Sequence, residues 1–256
     1  MEVVAAQLTA VLLVSLRIAP VLAFGGPFAM LRIPVTVRVL LSLALALWLV
    51  AGRPDATTAR VMAGYPLPGL AAGELFVGLA IALSLQLAYA AILWAGRIID
   101  VQAGFGLAMI ADPTTQAQMP LVGTVFAYAA AIVFFATDGA HDLLALWAAT
   151  LDFMPLGHGF YTGDAHALLG LVASLFAMGI GLVGLILLVL FLLDLSIAFM
   201  SRTLPQMNVL LLGFQVKSLA VLVVLPLALS LSAGLLLRMI RLSLEAVPRL
   251  LGQGGA

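Results

Sequence analysis

Six ionisable side chains interrupt stretches that are otherwise apolar: Arg17, Glu74, Asp100, Asp194, Arg202 and Lys217. A charge near the centre of an apolar helix costs roughly 2.5–3.5 kcal/mol on an insertion scale. Each must therefore pair, face a protein interior or line water. Intramembrane carboxylates can couple solute movement to ions, which makes Glu74, Asp100 and Asp194 candidates for a small-solute secondary transporter. Near helix ends a long side chain can instead reach the interface. For Arg17 and Glu74 both readings stay open. Asp194, deep in its helix and followed by Arg202, reads as a packed polar contact in an assembly.

Other chemistry finds little support. His141-Asp142 is a sequence pair, but adjacent residues do not share a helix face and form no relay. His141, His158 and His166 lie in one stretch without the i,i+4 spacing that would converge them on a metal. There is no phosphate loop, nucleophile elbow or zincin motif. The absence of cysteine excludes disulfides and thiolate sites. Net charge is zero and no long basic stretch suggests nucleic acid. The expectation is a protein without enzymatic activity, cofactor or metal. A transporter would usually repeat broken helices in matching halves, and no convincing two-fold repetition is visible.

The elements that must carry these charges are helices in lipid. Of 256 residues, 64% are hydrophobic and 9% charged. A soluble domain is roughly 45–50% apolar and about 25% charged, so this surplus must face lipid or other subunits. Charge-free runs cover 75–96, 113–137, 167–193 and 218–237. Crossing a ~30 Å hydrocarbon core takes about 20 residues. The shorter runs 3–16 and 39–52 reach helix length if Arg17 and Arg38 are tolerated near their ends. The N-terminus lacks the positive region of a cleaved signal, so the first apolar segment is expected to be retained.

Proline and glycine mark the breaks. Gly25-Gly26-Pro27 and Ile33-Pro34 bound a link, Arg53 to Pro68 reads as a loop, and Pro155 to Gly159 lies in another. This spacing predicts helices near 3–24, 35–51, 69–101, 121–136, 140–151, 166–201 and 209–246. The Leu/Ala-rich runs lack the alternation of barrel strands. The fold class is all-α: a multi-helix membrane protein built from helical hairpins. Gly179, Gly181 and Gly184 in the sixth helix serve either close helix packing or a hinge, with packing the favoured reading. From Asp138 to His166 there is no Lys or Arg, which reads as extracytoplasmic, whereas Arg238, Arg241 and Arg249 read as cytoplasmic. Two crossings separate these stretches and should return them to one side, so the charge rule conflicts with itself.

Two stretches stand apart. Gly96-Arg97-Ile98-Ile99-Asp100-Val101-Gln102-Ala103-Gly104-Phe105-Gly106 runs into a segment ending at Met119-Pro120. Ser201-Arg202-Thr203-Leu204-Pro205-Gln206-Met207-Asn208-Val209 precedes Gly213-Phe214-Gln215-Val216-Lys217. Both put a charge and amides at a helix end beside Gly or Pro, where amides can cap free backbone groups.

With Arg17 and Pro20, Ile33-Pro34 and Arg38, Glu74 and Gly78, Asp112-Pro113, Phe134, Asp138-Gly139, His141 and Pro155 with Gly157, these stretches form an ordered set. The set resembles the flagellar biosynthetic protein FliR family, shared with the equivalent component of virulence type III secretion systems. The resemblance covers essentially the whole chain and is most specific over Arg202, Pro205 to Val209, Gly213-Phe214 and Lys217. Gln215-Val216 departs from it, since the family commonly has a proline after Gly-Phe. That departure is expected to alter the start of the last helix, not the function.

The resemblance implies a non-enzymatic export gate subunit of the bacterial inner membrane, at the flagellar basal body. It implies a FliP-like part over 1–165 and a FliQ-like hairpin over 166–256. Assembly with FliP-like and FliQ-like subunits around a channel is implied, with FlhA-like and FlhB-like components and unfolded export substrates in transit. Arg17, Glu74, Asp100, Gln102, Asp194, Arg202, Pro205, Gln206, Asn208 and Lys217 are then assembly or structural residues. The raised, conical complex of that family would let the acidic loop and the tail share one end. Gly104–Pro120 corresponds to a channel plug, with Gly104, Phe105, Gly106, Leu107, Met109, Ile110, Asp112, Pro113 and Met119 as its residues. The side-chain chemistry suits that role: Met adapts to irregular contacts, Gly permits unusual backbone angles, and an apolar constriction excludes ions by dewetting. An interhelical loop packed on its own subunit is the plainer alternative.

Overall fold

The protein is described by a computed structural model, over residues 2–31, 33–105, 120–157, 164–203 and 209–252. Among these residues every regular element is a helix: α1 (Glu2–Phe24), α2 (Gly26–Met30), α3 (Val35–Gly52), α4 (Pro54–Met62), α5 (Leu67–Gln102), α6 (Leu121–Ala136), α7 (Gly139–Phe153), α8 (Ala165–Thr203), α9 (Val209–Glu245) and α10 (Val247–Leu250). The seven helices predicted from the runs are present with ends shifted by no more than two residues. The Gln215-Val216 departure does not interrupt α9, which is continuous from Val209.

Two expected links contain short helices instead. In the loop expected from Arg53 to Pro68, α4 forms because Pro54 stands in its first turn with a helix-compatible φ. Asp55 complements the N-terminal dipole. Thr57 and Thr58 donate their hydroxyls to the carbonyls of Arg53 and Pro54, each at 2.8 Å, removing them from competition for water. Between α1 and α3, Gly26–Met30 makes one turn with Pro27 at its start, and Pro34 accepts the first amides of α3 from Val37 and Arg38.

Five helices are long and apolar enough to cross a membrane, α1, α3, α5, α8 and α9. The count becomes six if α6 and α7, bent by 71° at their short break, form one span. Helices α5, α8 and α9 have 36, 39 and 37 residues. At ~1.5 Å per residue each is about 54–58 Å long, well beyond a ~30 Å hydrocarbon core. Their outer faces stay apolar: Leu219, Val223 and Leu231 on α9 are 64%, 77% and 69% exposed. That is the surplus apolar surface the composition demands.

The described chain forms two compact units. The first gathers Met1–Ala88, Phe134–Val172 and Ile240–Ala256, and the second Tyr89–Val133 and Ala173–Met239. In the first, Val14, Ile18 and Val21 of α1 and Leu49 of α3 are buried with Phe134, Trp147 and Leu151. Phe28 meets Phe134 and Phe135 edge-on, with centroids 6.0 and 5.7 Å apart. In the same unit Asp142 and Ala149 of α7 share a groove with Arg241 and Glu245 of α9. The acidic stretch and the basic tail therefore lie together, as the two-crossing count requires.

The second unit is assembled on glycines. Gly96 of α5 and Gly123 of α6 cross with their backbones in contact, and a Cβ on Gly123 would lie 2.8 Å from the Leu93 carbonyl oxygen. On α8, a Cβ on Gly179 would lie 3.1 Å from the Ala91 carbonyl oxygen, whereas Gly184 has open space around it. Close packing is thus the role of Gly179 within an unbroken α8.

Replacing Gly96 by Leu should push α5 and α6 apart and cost at least about 1–3 kcal/mol. Gly184→Ala should be neutral or stabilise by up to about 1 kcal/mol through helix propensity alone. Unfolding midpoints of the two variants in detergent, followed by circular dichroism, check both signs.

Candidate functional site

The first polar centre lies within the first unit and is built on α1 and α5. Pro20 offers no N–H to the Leu16 carbonyl one turn earlier. Gly78 of α5 fits against this point: a Cβ there would lie 2.5 Å from the Arg17 carbonyl oxygen and 2.9 Å from that of Leu16. Glu74 stands one turn before Gly78 on the same face of α5. The close approach that Gly78 permits therefore sets Glu74 opposite the Arg17 side chain.

The result is a fully buried, two-point ion pair. Arg17 Nε donates to Glu74 Oε2 at 2.7 Å and Nη2 donates to Oε1 at 3.0 Å. Both residues are 1% exposed. Arg17 Nη1 also donates to Thr150 Oγ1 at 3.1 Å, and Nη2 to the Met154 carbonyl at 3.0 Å. The Gly157 N–H donates to Glu74 Oε1 at 3.1 Å. One guanidinium and one carboxylate thereby tie together α1, α5, the end of α7 and the chain leaving it. For Arg17 and Glu74 the snorkelling alternative is excluded. Nearby, Arg53 and Asp152 make a second two-point pair at 2.7 and 3.2 Å. The hydrogen bonds that Arg53 donates to the Asp152 carboxylate raise the Arg53 pKa further above its already high value. That pair is exposed and adds little stability.

The second polar centre lies in the second unit, where α5 ends and α6 begins. Asp100, 3% exposed, accepts the Val122 N–H on Oδ1 at 3.1 Å. This caps the N-terminus of α6, where free amides favour an anion. Among the described residues Asp100 Oδ2 has no hydrogen-bond partner. Just beyond the end of α5, Gly104 takes φ +83°, the left-handed conformation that closes a helix at low cost for glycine. A Cβ there would also lie 2.5 Å from the Phe214 ring. Ser218 of α9 donates its hydroxyl to the Ala103 carbonyl at 3.1 Å. The two stems of the 106–119 segment are thus held to each other by Asp100 and to α9 by Phe214 and Ser218.

A third pair links α8 and α9. Lys217 and Asp194 are in direct ion-pair contact, with side chains 14% and 46% exposed. They line a groove with Ile197, Ala198, Ser201, Gly213 and Phe214. Asp194, read as a packed polar contact in an assembly, has an ion-pair partner within its own chain. Arg202 and Gln102 are exposed on their helices, and Phe105 is half-buried. Gly106, Leu107, Met109, Ile110, Asp112, Pro113, Met119, Pro205, Gln206 and Asn208 lie outside the described residues.

Sequence reasoning singled out the charges but not all their partners. Thr150 carried no charge to mark it, and Ser218 sits in an apolar run where a lone hydroxyl normally bonds its own helix. Ser218 does so too: its one hydroxyl proton is shared between the Ala103 carbonyl and the Phe214 carbonyl, the latter at 2.9 Å. Gly78 and Phe214 stood in the quoted stretches without an assigned contact.

Long apolar helices with bare outer faces, crossed on glycines and tied by buried or bridged charges, define a multi-helix membrane protein. A family model for bacterial export proteins, family 1, matches residues 8–243. The chain belongs to that family, as its resemblance to FliR implied. It is 30% identical to the flagellar biosynthetic protein FliR of Bacillus subtilis (strain 168) over 191 residues, 73% of each chain. It is 28% identical to FliR of Aquifex aeolicus over 210 residues, 81% of this chain and 79% of that one. Similarity extends to the secretion system apparatus protein SsaT of Salmonella typhimurium, at 25% identity over 160 residues and 61% of each chain.

Arg17→Met should strand the buried Glu74 carboxylate with Gly157 as its remaining donor and cost about 3–5 kcal/mol. The double variant Arg17→Met/Glu74→Met should recover much of that loss. A double-mutant cycle on unfolding midpoints in detergent measures the coupling; additive losses would contradict the pairing.

Proposed function

We propose that this protein is a non-enzymatic subunit of the flagellar type III protein export gate in the bacterial inner membrane, at the flagellar basal body. In this reading it helps to form the channel through which unfolded flagellar proteins leave the cytoplasm, and Gly104–Pro120 plugs that channel at rest. Residues 1–165 form its FliP-like part and 166–256 its FliQ-like hairpin. Its partners are FliP-like and FliQ-like subunits, with FlhA-like and FlhB-like components supplying other functions of the apparatus. Family membership and the named flagellar relatives support the export role.

The observation that carries the plug is the anchored base of the segment. Asp100 joins the two stems across 22 residues, and Gly104 turns away from α5 against Phe214. A stopper needs a fixed root if its apolar residues are to return to one place. Phe105, Leu107, Met109 and Ile110 are then the residues that exclude water and ions. The solute-carrier alternative finds less support. Glu74 is fully engaged by Arg17, Asp194 is paired with Lys217, and Asp100 serves as a helix cap.

Deleting Gly106–Gln116 should make cells carrying the assembled complex leaky to ions and small molecules. Ion flux with assembly verified by co-purification checks this, and unchanged flux in an intact complex rejects the plug. Lys217→Met and Arg202→Met should each lower export or recovery of partner subunits. Secretion assays paired with pull-downs check that, and wild-type values for both variants count against a role for this end of the hairpin.

A further inference from the structure

Within the second unit, one turn of α9 serves two neighbouring helices at once. Phe214 and Ser218 stand one turn apart on the same face, and both meet the end of α5. The Phe214 ring occupies the space that a side chain on Gly104 would need, with ring carbons 2.5 and 3.1 Å from the place of its Cβ. Gly104 is thus required twice, for its left-handed backbone and for room. Ser218 Oγ reaches the Ala103 carbonyl at 3.1 Å. Lys217, between them in sequence, pairs instead with Asp194 of α8.

These contacts are built to release. The Ser218 proton has a second acceptor in its own helix, the Phe214 carbonyl at 2.9 Å, so α9 can let go of Ala103 without stranding a donor. The Phe214 ring is half-buried and carries no polar group. The need to re-engage lies on the α5 side. Ala103 is fully buried, and its carbonyl lies just past the last turn of α5, where the helix supplies no N–H. We infer that Phe214 and Ser218 are positioning residues of the gate. They form a reversible catch by which α9 holds the end of α5, and with it the root of the plug, in the resting position. The inference rests on the plug reading above. Lys217 and Asp194 fix the register of α9 on α8 at which the catch closes, so a shift of the α8–α9 hairpin withdraws Phe214 and Ser218 together. Asp100 bonds the two stems to each other and not to α9, so the root moves as one piece when the catch lets go.

The test uses the full chain produced together with the other subunits of its own export gate. Ser218→Ala and Phe214→Ala should each raise the resting ion flux by about fivefold, the shift expected when one contact is lost from one of two states. Co-purified subunits and helical content should match wild type in both. Ser218→Thr keeps the hydroxyl and Phe214→Met keeps the apolar bulk, so both should return the flux to the wild-type value. Ser230→Ala removes a hydroxyl from α9 that bonds only the Leu227 carbonyl of its own helix, and should leave the flux unchanged. Wild-type flux in Ser218→Ala and Phe214→Ala, beside a leaking Gly106–Gln116 deletion, overturns the catch and leaves the plug standing. So does a leak of equal size in Ser230→Ala, or a flux increase matched by loss of co-purified subunits, since either makes the contact merely structural. An intact complex that leaks in neither the deletion nor the point variants overturns both readings.

Discussion

The ion pair between Arg17 and Glu74 is the constraint from which the first unit is organised. Two charges buried this deeply are tolerable only when nearly all their hydrogen-bonding capacity is used. The structure meets that condition by drawing on four chain segments: the two helices that carry the charges, the Thr150 hydroxyl, and backbone groups of Met154 and Gly157. The geometry runs back to two residues with no charge at all. Pro20 leaves a carbonyl of α1 without its donor, and Gly78 lets α5 settle against that carbonyl. The pair is therefore as much a consequence of backbone approach as of electrostatics. Its specificity is in its fork: Arg meets a carboxylate at two points, which Lys cannot do.

The second unit solves a related problem by other means. Its crossings bring backbones together at Gly96 and Gly123, and α8 onto α5 at Gly179. In apolar surroundings there is no hydrophobic drive between helices, so contact area from small residues has to serve. Polar groups here finish helices as well as join them: Lys217 and Asp194 link α8 to α9. Asp100 completes the first turn of α6, and Gly104 closes α5.

Much of this was legible in the sequence, for physical reasons that differ by residue. The long helices followed from charge-free length and from Pro and Gly breaks, because lipid forces backbone groups to bond within a helix. Helix α4 was not legible, since Pro54 and the two threonines read equally as loop residues until their hydroxyls are seen bonding back to the first turn. The charges Arg17, Glu74, Asp100, Asp194 and Lys217 announced themselves by cost. Their partners did not, because pairing across 57 residues is a tertiary fact with no local signature. Asp194 shows the limit clearly: its depth in an apolar helix suggested a packed polar contact, but nothing local pointed to Lys217 as the partner.

One consequence follows from the bond that Asp100 makes to Val122. It closes the chain into a ring at that point, so the stems keep their geometry regardless of what the bridging stretch contains. The entropy of closing a ring rises only logarithmically with its length, by about 0.6 kcal/mol for each doubling. Evolution can therefore lengthen, shorten or recompose the stretch between the stems at small thermodynamic cost, while the helices beneath it stay in register. The Asp100 bond thus constrains the root of that stretch without constraining its length.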